Sequence, residues 1–138
     1  VCSSDLWGDT ITHADATYYS MKSTAYDFSS TRGFHPAYND GVAPFTSPVG
    51  SFPPKGYGLY DMLGNVRQWC WDLYDPVYYA SSPASDPKGP GSTYFYRVLR
   101  GGGWLDGADY ARCSYRFRDW AEDDHLQRGF RLARRASP

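Results

Sequence analysis

Apolar and polar positions along the chain keep a regular period in only a few places. Tyr94, Tyr96 and Val98 alternate with Phe95, Arg97 and Leu99, which predicts a half-buried strand. It runs into Gly101-Gly102-Gly103, where the backbone has to turn sharply or approach another element closely. The apolar run Phe130-Arg131-Leu132-Ala133 predicts a second strand, and Val49 with Phe52 a short strand or extended edge ahead of two prolines. Leu59-Tyr60-Asp61-Met62 leads through Gly64-Asn65 into Val66, Trp69 and Leu73, whose spacing of three and four predicts a short amphipathic piece. Gly64 is expected in a conformation closed to residues that carry a Cβ. Elsewhere the pattern breaks down. Residues 7–54 are interrupted every few positions by Gly, Pro, Asn, Asp or Ser, and residues 75–93 carry four prolines and read as a surface connection. Residues 105–128 hold no apolar period long enough for a helix. Long loops persist in a compact domain when side chains or ions tie them down. Tyr18, Tyr19, Tyr26 and Tyr38, with Phe28, Phe34 and Phe45, are the expected ties, their hydroxyls reaching backbone groups left unpaired.

Composition narrows the class. A length of 138 residues suits one domain, and 18% aromatic residues with 14 glycines and 10 prolines favour a turn-rich α+β or mostly irregular domain over a helical bundle. A net charge of −1 argues against a nucleic-acid surface, which needs a concentrated basic face. No apolar run approaches the length needed to cross a bilayer. The opening VCSSDL matches nothing that follows and lacks the apolar core of a signal peptide. It reads as a non-native leader over residues 1–6, the translation of a sequencing adapter, leaving 7–138 as a single domain.

Candidate chemistry is scattered. With Cys2 set aside, Cys70 and Cys113 are far apart and in no metal-type spacing; they could pair only if the fold brings their Cα atoms within roughly 7 Å, and a free buried thiol is the plainer reading for each. His13, His35 and His125 have no ligand spacing and read as surface or loop histidines. The Asp61 carboxylate, the Gln68 carbonyl oxygen and turn carbonyls could converge on a hard cation, although Asp-x-x-Gly-Asn is more often simply a turn. Asn39-Asp40-Gly41 offers the same two readings. Trp104, Tyr110, Tyr115, Phe117 and Trp120 stand among Asp106, Asp109, Arg112, Arg116 and Arg118, a mixture of rings and bidentate groups found at recognition surfaces. Arg112, Arg116 and Arg131 read as framework, pairing with Asp72, Asp86 or Asp109 and capping loop carbonyls; Glu122-Asp123-Asp124 reads as a solvated loop tip.

Four motifs together are family-specific. Tyr57-Gly-Leu-Tyr-Asp-Met-Leu-Gly-Asn-Val-Arg-Gln-Trp, Arg97-Val-Leu-Arg-Gly-Gly-Gly-Trp, Arg112-x-x-x-Arg116 and Gly129-Phe-Arg-Leu-Ala-Arg134 closely resemble the formylglycine-generating enzyme, or sulfatase-modifying factor, family. Trp7-Gly-Asp fits as well, and the chain looks like the C-terminal part of a longer domain. The resemblance implies an α+β, C-type-lectin-like fold of low regular secondary structure with bound calcium. It places Asp61, the Gly64 and Val66 carbonyls and Gln68 on one calcium site, and Asp40, the Val42 carbonyl and Thr17-Tyr18 near another. Gln68 stands where glutamate is usual, Thr17 where asparagine is usual and Arg67 where tryptophan is usual, and the first two changes weaken the expected cation affinity.

The family's enzymes bind copper(I) through two cysteines five residues apart, and soft thiolates suit that ion. The matching positions here are Asp106 and Ala111; Cys113, two residues further on, lies where serine is common. Copper is therefore not expected. Three functions stay open: an oxidase converting a sulfatase cysteine to formylglycine, the substrate-pocket domain of an iron-dependent sulfoxide synthase, or a binding module akin to the variable proteins of diversity-generating retroelements. The binding module is the reading the substitutions favour. It would take a peptide, protein or small-molecule ligand through Trp104, Asp106, Tyr110, Phe117, Arg118 and Trp120.

Overall fold

A computed structural model describes residues 9–54, 56–91 and 95–132. The expected leader, Trp7, Tyr94, Ala133 and Arg134 lie outside them. Four strands form one sheet: β1 (Arg67–Leu73), β2 (Tyr96–Arg100), β3 (Phe117–Trp120) and β4 (Arg128–Gly129), in the order β3-β2-β1-β4. β1 and β3 flank β2 antiparallel, and β4 runs parallel to β1. The helical elements among the described residues are two single turns of 3-10 helix, Tyr78–Ala80 and Ala108–Ala111; Gly56–Gly58 is a tight turn with Tyr57 at φ 64°, outside the helical region. This is the expected α+β architecture of low regular structure.

The alternating run before the triple glycine is indeed a strand, with Val98 and Leu99 both buried. The piece containing Val66, Trp69 and Leu73 is extended, not helical. Its ladder shifts register between Trp69 and Leu73, and that irregularity imitates a spacing of three and four. The predicted C-terminal strand is displaced: Arg128 and Gly129 pair with Arg67 and Gln68, while Phe130 (74% exposed) and Leu132 (90%) lie beyond the ladder. Val49 lies inside a turn closed by Ser51 N–H donating to the Pro48 carbonyl at 3.3 Å, and Phe52 follows that turn, so no edge strand forms. β3 lies inside the segment that shows no period.

Residues 9–54 are loop, held by isolated bridges and by one buried carboxylate. Asp27 accepts from the Tyr18 hydroxyl at 2.7 Å, Met21 N–H at 2.9 Å and Ser29 N–H at 3.1 Å, and meets Arg32 at 3.3 Å. Burial raises its pKa, but the hydrogen bonds outweigh burial and hold it below the usual carboxylate range. Tyr18 thus ties the loops chiefly through a side chain rather than the backbone. Rings supply the rest: Phe34 packs on Tyr19, Phe45 and Trp104, and Phe52 on His35 and Tyr38.

The turn at Gly64-Asn65 joins these loops to the sheet. Gly64 has φ +73°, and a Cβ there would lie 2.4 Å from the Thr17 carbonyl oxygen. Its N–H donates to the Gly101 carbonyl at 2.7 Å, Asn65 N–H to that of Thr17 at 2.7 Å, and Trp104 N–H to that of Asn65 at 2.8 Å. The Asn65 side chain clasps Ser47 through both its amide groups, at 3.0 and 3.1 Å.

Candidate functional site

Asp106 is fixed from both directions. Its backbone accepts from Tyr19 N–H at 2.8 Å, and its carboxylate accepts from Gly103 N–H at 2.8 Å. Arg67, projecting from the start of β1, reaches the same carboxylate with two donors: Nε to Oδ2 at 2.7 Å and Nη2 to Oδ1. Both side chains are about nine-tenths buried, with 11% and 8% exposed, and the guanidinium lies 3.7 Å from the Phe117 ring centroid and 5.7 Å from that of Tyr110. The two unusual residues noted in the sequence therefore form one bidentate unit. Ala111 is buried at the end of the nearby 3-10 turn, and Trp104 is buried under Phe34 and Phe45. Of the six expected ligand contacts, Trp104 and Asp106 are thus interior, Tyr110 and Phe117 half-buried, and Arg118 and Trp120 exposed.

Arg118 and Trp120 belong to a second set of side chains. β3 places Trp120 opposite Tyr96, and cross-strand partners share a face. Arg118 lies 5.2 Å from the ring centroids of both Tyr74 and Tyr96. Arg116 lies 4.9 Å from Tyr74 and 4.6 Å from Tyr79, and donates to the Asp75 carbonyl at 3.0 Å. Arg100 donates to the carbonyls of Cys113 and Tyr115 at 2.8 and 2.9 Å and to the Tyr79 hydroxyl at 2.7 Å. Among the described residues none of these three arginines has an ion-pair partner. Burial pushes the half-buried Cys70 thiol up, with Arg100 opposing, Asp72 reinforcing and Arg116 opposing. Tyr74, Tyr79, Tyr96 and Arg100 are members that sequence reading missed. The available signal was the step of two between Arg116 and Arg118, which puts both on one side of an extended chain.

The framework arginines do cap loop carbonyls. Arg112 reaches that of Asp109 at 2.9 Å, and Arg131 those of Tyr60 and Asp61 at 3.1 and 2.9 Å. The expected calcium residues Asp61, Gly64, Val66 and Gln68 line one open depression of about 460 Å³ with Phe130 and Arg131. Asp61 Oδ2 accepts from Gly50 N–H at 2.5 Å, while Oδ1 is buried without a hydrogen-bond partner among the described residues. That orphaned oxygen fits a cation. The Gln68 oxygen fits less well, since Arg131 Nε donates to it at 2.7 Å. The second expected site is not assembled. Asp40 accepts from Val42 N–H at 3.0 Å within its own exposed turn, and no hydrogen bond links that turn to buried Thr17 or Tyr18 among the described residues.

Of the two readings for His13, surface or loop, the structure supports the loop and not the surface. His13 is buried, with Nε2 3.1 Å from the Tyr18 carbonyl and Nδ1 2.9 Å from the Thr31 hydroxyl. A carbonyl only accepts, so Nε2 carries a proton, while the Thr31 hydroxyl can either donate to Nδ1 or accept from it. Burial lowers its pKa, opposed by the Tyr18 bond and assisted by His35.

Comparison with known proteins agrees with the motifs. The model of the sulfatase-modifying factor enzyme 1-like domain matches residues 6–136. Formylglycine-generating enzyme of Streptomyces coelicolor is 44% identical over 91 residues, 64% of this chain and 29% of that protein. PvdO from Pseudomonas aeruginosa superimposes with a TM-score of 0.61 at 29% identity, over 83% of this chain and 42% of that one. Treponema denticola variable protein 1 gives a TM-score of 0.53 at 36% identity, over 62% and 30%. The chain thus spans well under half the length of each.

Proposed function

From the premise that the chain belongs to the sulfatase-modifying factor enzyme 1-like family, we propose that it is a binding domain and not a formylglycine-generating oxidase. The carrying observation is the buried Arg67–Asp106 pair. At the position where the resemblance puts a copper thiolate there is a hard carboxylate already neutralised by a guanidinium. A soft monovalent metal finds neither a suitable donor nor free negative charge there. Ala111 offers no donor at the second position.

Binding falls to the exposed face that Arg118 and Trp120 share with Arg100, Arg116, Tyr74, Tyr79 and Tyr96. Guanidiniums held over rings, with no carboxylate partner among the described residues, favour a carboxylate-bearing peptide or protein ligand. The likeness to a protein named as a variable protein supports this reading. The name of the Streptomyces relative favours oxidation of a sulfatase cysteine instead. One experiment separates them: incubation with copper(I), oxygen and a sulfatase-motif peptide, with the aldehyde trapped by a hydrazide. The peptide should remain unmodified, and turnover would overturn the proposal.

We also propose a structural calcium ion at Asp61 Oδ1, with the Gly64 and Val66 carbonyls as neighbouring donors in the same depression. Calcium should raise the melting temperature of the wild type over that in chelator, and Asp61→Asn should abolish the difference. A wild-type melt indifferent to both additions would remove the ion.

A further inference from the structure

We infer that the partner this face fits is a second copy of the chain, docked about a two-fold axis near Trp120. The inference rests on the proposed role of the Arg118–Trp120 face as the contact surface. Every second residue from Arg116 to Asp124 reads cation, cation, ring, anion, anion: Arg116, Arg118, Trp120, Glu122, Asp124. The order is antisymmetric in charge about Trp120. β3 ends at Trp120 and the chain then turns, so Arg118 lies on one side of the ring and the acidic turn on the other; a two-fold axis there sets the Arg118 of each copy near the acidic turn of its partner.

The structure keeps these charges available. Asp119 and Asp123 are consumed by Arg128, whereas exposed Glu122 and Asp124 have no ion-pair partner among the described residues, and neither does Arg118. Asp123 N–H donates to the Trp120 carbonyl at 3.2 Å, a turn that holds the acidic residues close to the end of β3. At the centre Phe95, 71% exposed, lies 6.0 Å from the Trp120 ring, itself 47% exposed. An apolar aromatic centre with a charged rim is the usual anatomy of a protein interface, and a two-fold axis requires a self-complementary patch. β3 is also the edge of the sheet, so no further strand of the described chain stands between the two copies. The dense acidic run in the same chain favours self-association over a foreign acidic peptide.

Sedimentation velocity on the whole chain tests this. Dimers are expected at low salt, with dissociation at least about tenfold weaker in 50 mM than in 500 mM salt, because exposed charges are screened within a few ångströms at high ionic strength. Arg118→Glu and Glu122→Arg should each give folded monomers, and Arg118→Glu combined with Glu122→Arg should restore the dimer. A wild type monomeric at about 100 µM, single variants that stay dimeric, or a folded double variant that stays monomeric would each overturn the inference. A labelled hexaglutamate peptide separates the two claims. A monomeric wild type that binds it through Arg118 sinks the dimer and keeps the binding face; one that does not bind it sinks both.

Discussion

Asp106→Ala is the substitution whose cost the structure specifies most closely. It removes the carboxylate that accepts two guanidinium donors from Arg67 and one N–H from Gly103. The guanidinium that remains is only 11% exposed, packed against Phe117, with no other ion-pair partner among the described residues. Stranding one member of a buried pair costs about 3–5 kcal/mol. Set against a total stability on the order of 5–15 kcal/mol, the loss is large, and it corresponds to a fall in melting temperature of roughly 10–20 °C. Replacing both members, Arg67→Met with Asp106→Leu, removes the stranded charge and should return the protein to within about 1–2 kcal/mol of the wild type. Urea unfolding followed by tryptophan fluorescence, with circular dichroism melts alongside, measures both. An Asp106→Ala loss below about 1 kcal/mol would refute the assignment of this pair as a buried clamp, and so would a double variant as weak as the single one.

Two further outcomes follow from local geometry. The folded-state pKa of His13 is depressed, so the unfolded chain takes up a proton first as the pH falls below 6.5. The stability it contributes is intact above that pH and declines, by at most about 1.4 kcal/mol per pH unit, as the pH falls through the folded-state value. Urea midpoints should fall between pH 7.5 and 5.5 in the wild type and fall less in His13→Gln; parallel profiles would count against it. The depressed Asp27 pKa acts below its ordinary value of 3.8 and leaves that window clear. Gly64→Ala and Gly58→Ala, both at positive φ, should separate clash from backbone strain. A Cβ at Gly58 meets nothing within 4 Å and should cost about 1 kcal/mol, whereas at Gly64 it meets the Thr17 carbonyl at 2.4 Å and should cost about 2–4 kcal/mol. Equal losses in chemical denaturation would contradict the role given to Gly64.

What could be read in advance was what local chemistry determines. The alternation into Val98-Leu99, the close approach at the triple glycine and the need for Gly64 all depend on a few adjacent residues. β1 was misread because a ladder irregularity altered its period, and β3 because arginine and aspartate between Phe117 and Trp120 conceal its apolar face. Long-range pairing escaped altogether. Asp106 reads as an exposed contact until Arg67, 39 residues upstream, is seen to bury it. His13 looks superficial until Ser29 and Thr31, 16 and 18 residues later, enclose it. The exposure of Arg118 and Trp120 agrees with their polar surroundings in sequence, but the tyrosines that hold the arginines come from separate elements.

The Gly64-Asn65 turn also bears on how quickly such a chain can fold. Its partners Thr17, Ser47, Gly101 and Trp104 all lie far away in sequence, so little of its stabilisation is gained until several large loops have closed. A fold with almost no helix and with its contacts weighted toward distant residues belongs among slow folders. Because the closures share one turn, they are won or lost together. Prising that turn open would release the N-terminal loops, the asparagine clasp and the triple-glycine corner in a single cooperative event, one that hydrogen exchange at the Asn65 and Trp104 amides would register with a common opening free energy.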